Sequence, residues 1–154
     1  MESRALVRLA AIVVAVGLTS LAVFQVALIA GAPLGRAAWG GRSTYLSNSL
    51  RISSAGTILI YVLGALLVLR RAGFPIRWIS PGFARWGTWA FVIILTLAAL
   101  VNFLSQSPWE RFLLAPTALL LAALSLIVAI KGTGIVNTSS AELEDPGPGA
   151  TSRS

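Results

Sequence analysis

Trp86 to Leu104 reads WGTWAFVIILTLAALVNFL, and after a short interval Phe112 to Ile130 reads FLLAPTALLLAALSLIVAI. Neither run contains a charged residue. A helix rises about 1.5 Å per residue and a bilayer core is about 30 Å thick, so roughly 20 helical residues span it. Both runs match that length. Neither alternates with period two, and both exceed the length of a membrane β-strand. Two consecutive transmembrane helices are the reading that fits. Toward the N-terminus the same signature recurs, over Ile52–Leu69 and over the slightly longer Leu9–Ala30.

The whole chain agrees with these spans. Of 154 residues 56% are hydrophobic and 11% charged, with a mean hydropathy of +0.85. A soluble domain uses roughly 25% charged residues. The predicted fold is all-α: an integral membrane four-helix bundle over residues 1–132, with helices at about 8–31, 50–70, 82–105 and 108–131. A signal peptide's apolar segment is typically about 7–15 residues, shorter than the first run, so that run is expected to remain as a helix. Residues 133–154 turn to Ser, Thr, Gly, Pro and three acids, which predicts a disordered tail.

Arginine placement predicts the orientation. Four spans put the N-terminus, the middle loop and the C-terminus on one side. Arg4, Arg8, Arg70, Arg71, Arg77, Arg85 and Lys131 fall there, against Arg36, Arg42, Arg51 and Arg111 on the other. The excess predicts that both termini are cytoplasmic. Arg70 and Arg71 read as anchors on that side.

Local signals refine the picture. Ser80-Pro81 reads as an N-cap with proline in the first helical position, and Ser107-Pro108-Trp109-Glu110 as a Ser-x-x-Glu capping box. So short a connection predicts a tight antiparallel hairpin. Pro116 lacks a backbone donor and is expected to kink the fourth helix. Small residues mark close packing in lipid. Ala118, Ala122, Ser125 and Ala129 form one such stripe, Gly56 and Gly64 another, and Ala11, Ala15 and Thr19 a third.

The chain contains no Cys and no His, which excludes thiol nucleophiles, imidazole bases and the usual transition-metal ligands. Glu110 is the lone acid between Glu2 and Glu142, so no carboxylate pair exists for acid–base chemistry inside the helical region. Phosphate-loop, Gly-x-Ser-x-Gly and dinucleotide motifs are absent. No enzymatic activity, no cofactor and no metal are expected. The basic residues lie between apolar runs, so the net charge of +7 points to the lipid bilayer rather than to nucleic acid.

Polar residues gather on the predicted outer face. Gln25 lies near the outer end of the first helix, Arg51 opens the second, Asn102 closes the third, and Glu110 and Arg111 open the fourth. A connection of about twenty residues between the first two helices holds Trp39 and Arg42; loops of this length without secondary structure are uncommon and often functional. Gln25, Trp39, Arg42, Arg51, Asn102, Glu110 and Arg111 are the candidate binding residues. For Glu110 the simpler reading is a helix cap paired with one arginine; the functional one is an organiser of an anion or headgroup site with Arg42 and Arg51. For Gln25 and Asn102 the simpler reading is an interhelical hydrogen bond, typically about 0.6 kcal/mol.

The pattern Gly31-Ala32-Pro33-x-Gly35, then Trp39-Gly40-Gly41, then Leu50-Arg51-Ile52-Ser53-Ser54, with Asn102, Ser107-x-Trp109-Glu110-Arg111 and Pro116 downstream, resembles a family of small four-helix bacterial membrane proteins common in actinobacteria. Members of that family often carry Pro after the Leu that precedes the second helix; here Leu46 is followed by Ser47. The resemblance covers the four helices and implies a multi-pass protein of a bacterial plasma membrane without implying an activity. The expected role is that of an interaction or accessory subunit, or a binder of a ligand or lipid headgroup, with a membrane-protein partner or a second copy as its associate. The alternative is a small-molecule transporter or passive permeation protein. Small multidrug transporters are similar in size but depend on a membrane-embedded Glu in the first helix, where this chain has only Thr19, Ser20 and Gln25 as polar residues.

Overall fold

The structure, a computed structural model, describes residues 2–41 and 43–132; Arg42 and the predicted tail at 133–154 lie outside the described residues. Four helices follow one another: α1 (Glu2–Ile29), α2 (Asn48–Arg71), α3 (Pro81–Leu104) and α4 (Ala115–Lys131). A π-helical stretch, Glu110–Leu114, leads into α4. All four segments, counting Glu110–Lys131 as one, are long and apolar enough to cross a membrane. There is no strand among the described residues. Both α1 and α3 pack on α2 and on α4, and α2 and α4 also approach across the diagonal. The result is an all-α four-helix bundle whose first helix starts and last helix ends on the same face.

The inward face of α1 follows a heptad. Val7, Ala11, Val14 and Leu18 are buried, then Gln25 and Leu28. Steps of four and three residues keep one seam against the neighbours as helices cross at a shallow angle. Thr19, in the expected small-residue stripe, instead faces outward and bonds its own Ala15 carbonyl at 2.8 Å. On α4 the stripe of Ala118, Ala122, Ser125 and Ala129 is buried throughout. The α2 glycines differ from one another. A Cβ at Gly64 would fall on the Phe91 ring, whereas nothing lies near a Cβ at Gly56.

Ser80 caps α3 as its sequence predicts, accepting from the Phe83 backbone N–H at 3.2 Å with Pro81 behind it. Pro116 is accommodated by a change of register. The Ala115 N–H donates to the Glu110 carbonyl five residues back, so the turn before the proline is widened into a π-bulge. The arginines at the opposite end do more than anchor. Arg70 is buried and its Nε donates to the Ile79 carbonyl at 2.9 Å, closing the α2–α3 loop. Arg71 donates to the Ala129 carbonyl at 3.1 Å and Arg8 to that of Gly73 at 3.3 Å. Helix C-termini leave carbonyls without intrahelical donors, and at the end of α4 the Arg71 guanidinium supplies one, while Arg8 and Arg70 hold loop carbonyls. Arg8 also lies over the Phe74 ring, 5.4 Å from its centroid, which helps to explain why α1 starts several residues before its apolar run.

Candidate functional site

At the Glu110 end the connection between α1 and α2 folds down onto the bundle as a plug. Its two short 3-10 turns, Gly35–Ala37 and Trp39–Gly41, are closed by the Gly35 N–H donating to the Thr44 carbonyl at 2.9 Å. Trp39, Gly40 and Gly41 all have positive φ, at 56°, 82° and 67°. Glycine adopts this region freely, while Trp39 is held there against a steric preference. The Trp39 indole N–H donates to the fully buried Ser54 hydroxyl on α2 at 3.2 Å. A Cβ at Gly41 would lie 2.9 Å from the Arg36 carbonyl oxygen and 3.0 Å from the Ser107 Cβ. The Trp-Gly-Gly sequence therefore lets backbone approach the α3–α4 corner closely.

That approach delivers the Gly40 N–H to the Glu110 carboxylate, at 3.0 Å and 3.2 Å from its two oxygens. The Ser105 hydroxyl donates to the same carboxylate. Glu110 is buried, 6% exposed. The capping box expected at Ser107–Glu110 does not form. Ser107 uses its hydroxyl on the Arg36 carbonyl at 2.8 Å, and its N–H donates to the Ser105 hydroxyl at 3.0 Å. Nor does a described arginine donate to Glu110: Arg111 bonds the Ser105 carbonyl at 2.9 Å, and Arg51 lies against Gly31. The plug explains both departures, because once it docks, its backbone occupies the groups that a solvent-facing helix terminus would satisfy locally.

Beneath the plug lies a cavity of about 800 Å³. Leu21, Phe24 and Gln25 of α1 form one side; Thr57, Ile60 and Tyr61 of α2 face Ile94, Ala98 and Val101 of α3; Trp39, Gly40, Ser105, Gln106 and Glu110 form the roof. Toward the other end α2 and α3 converge, through Gly64 against Phe91, Leu67 against Gly87, and Arg70 on Ile79. Nearer the roof Ile60, Ile94 and Val101 line the cavity and are also exposed on the flank of the bundle. The cavity is thus bordered on its α2 and α3 sides by side chains that remain accessible. Comparison with protein-family models, curated proteins and solved structures found no match.

Four of the residues singled out from the sequence, Gln25, Trp39, Asn102 and Glu110, line this one cavity. Arg51 and Arg111 do not line it, and Arg42 lies outside the described residues. Gln25 sits in the α1 heptad seam, 8% exposed, and its enclosed Oε1 has no hydrogen-bond partner. The Tyr61 hydroxyl lies beside the Gln25 side chain. Tyr61, Ser105 and the Gly40 backbone were not legible as site residues. Tyr61 is a phenol within an apolar run, which was the available signal; the roles of Ser105 and Gly40 arise from loop docking alone.

Proposed function

We propose that this multi-pass protein is a binding protein of a bacterial plasma membrane, of the family its loop motif resembles, and that it holds an amphipathic ligand in the cavity beneath the Glu110 plug. One observation carries the reading: a pre-formed, mostly apolar cavity of about 800 Å³ with a few convergent polar groups. Ligand sites typically occupy about 300–1,000 Å³ and have this composition. The lack of Cys and His and the solitary Glu110 support a role in binding rather than catalysis. Transport is the weaker reading, because α2 and α3 close on each other below the cavity through Gly64 and Phe91. The plug is the outer face in this proposal, by the arginine excess at the opposite end.

Two experiments test it. Native mass spectrometry of the detergent-purified protein is expected to show a retained amphiphile that Ala98→Trp, which fills the cavity from its half-buried α3 wall, displaces. Equal retention by both proteins would remove the cavity from the account. A periplasmically active reporter enzyme fused after Ser140 is expected to be silent; activity there would invert the orientation.

A further inference from the structure

We propose that the ligand is a single-chain amphiphile with a protonated amine as its head, entering sideways from the bilayer between α2 and α3. This rests on the binding reading above and adds the chemistry of what is bound. The first support is the set of polar atoms that the cavity offers. Gln25 is more than nine-tenths buried and lines the cavity beside Tyr61, its oxygen enclosed rather than open to the void. Glu110 lines the roof of the same cavity with a carboxylate that accepts from Gly40 and Ser105. No Lys or Arg is among the described lining residues. Glu110 is the one charged group among the described lining residues, and no described arginine pairs with it, so the cavity roof carries a negative charge that a cationic ligand would compensate. A primary ammonium brings three donors, no acceptor, and a charge opposite to that of Glu110.

The walls supply the second support. Below the polar groups the lining is Leu21, Phe24, Ile60, Phe91, Ile94 and Leu95, which suits a hydrocarbon tail. Ile60, Ile94 and Val101 reach the flank of the bundle, so a tail would pass from lipid to cavity without crossing water. The volume fits one chain with a small head rather than a two-chain phospholipid. The protein's net charge of +7 works against this preference, since it attracts anions in general. Selectivity for an amine therefore has to come from the site.

The full chain, reconstituted in phosphatidylcholine nanodiscs, would be titrated with dodecylamine, dodecyltrimethylammonium, dodecanol and laurate, following tryptophan fluorescence and the thermal midpoint. Dodecylamine is expected to bind at least about ten-fold tighter than the other three, which corresponds to about 1.4 kcal/mol. Glu110→Gln is expected to erase most of that preference, and Ala98→Trp to abolish binding of every probe. In the wild type, laurate or dodecanol binding as tightly as dodecylamine overturns the amine head without recourse to any variant. If Ala98→Trp abolishes that unselective binding, the cavity reading stands and the present inference alone falls. If Ala98→Trp leaves dodecylamine binding unchanged, both fall. Phosphatidylethanolamine in the discs is expected to leave dodecylamine affinity unchanged; competition by it would assign the site to a phospholipid headgroup and overturn the single-chain ligand.

Discussion

Gly64→Leu is expected to destabilise the bundle by on the order of 3 kcal/mol, the upper part of the usual range for forcing extra atoms into a packed core. The reason is positional. A Cβ at Gly64 falls on the Phe91 ring, and that ring is itself buried in the main core at 3% exposure. Phe91 is held by the core except where it borders the cavity, so the ring must be driven into that space or α2 and α3 must separate where they converge. Unfolding in mixed micelles with increasing dodecyl sulfate measures the effect. Adding Phe91→Ala is expected to recover most of the loss that Gly64→Leu causes, because the two side chains compete for one volume. Gly56→Leu serves as the contrast. Nothing lies within reach of its Cβ, and leucine is the better helix former, so a neutral or slightly positive change is expected. Equal destabilisation at Gly56 and Gly64 would show that the α2–α3 contact is misplaced.

Glu110→Ala is the second large effect, about 2–3 kcal/mol. It leaves the Gly40 N–H and the Ser105 hydroxyl, both on half-buried residues, without their acceptor. A buried donor that loses its partner costs about 1–3 kcal/mol. The visible consequence is expected in the loop, since Glu110 is the contact that ties the Trp39–Gly41 turn to the base of α4. Limited proteolysis between residues 31 and 47 should accelerate well before the helices unfold. Glu110→Gln keeps one acceptor oxygen and is expected to lose less than half as much. Unchanged proteolysis in Glu110→Ala would mean that the Trp39–Ser54 and Ser107–Arg36 hydrogen bonds hold the plug without it.

Much of this architecture is legible without coordinates. Four uncharged runs, each long enough to cross a bilayer, admit one solution in lipid, because every backbone N–H and C=O must be satisfied within its own segment. Ser80-Pro81 announces the start of α3 by chemistry that is local to the first turn. Glu110 shows where such local reasoning stops. Ser107 and Glu110 have the spacing of a capping box, yet both are claimed by a loop that is remote in sequence. Gln25 is similar: its type is visible as the odd polar residue in α1, but that its oxygen is enclosed without a partner is settled only by the packing around it.

From composition and periodicity alone came the number of helices, their approximate limits, the arginine-rich end, and the gathering of Gln25, Trp39, Asn102 and Glu110 at the other. These are set by transfer into lipid and by contacts a few residues apart. Tertiary structure decided which glycine carries a ring, which donors Glu110 accepts from, and that a cavity lies beneath the plug. Those are contests between distant groups for one volume or one acceptor, and they are settled only when the helices and the plug are in place.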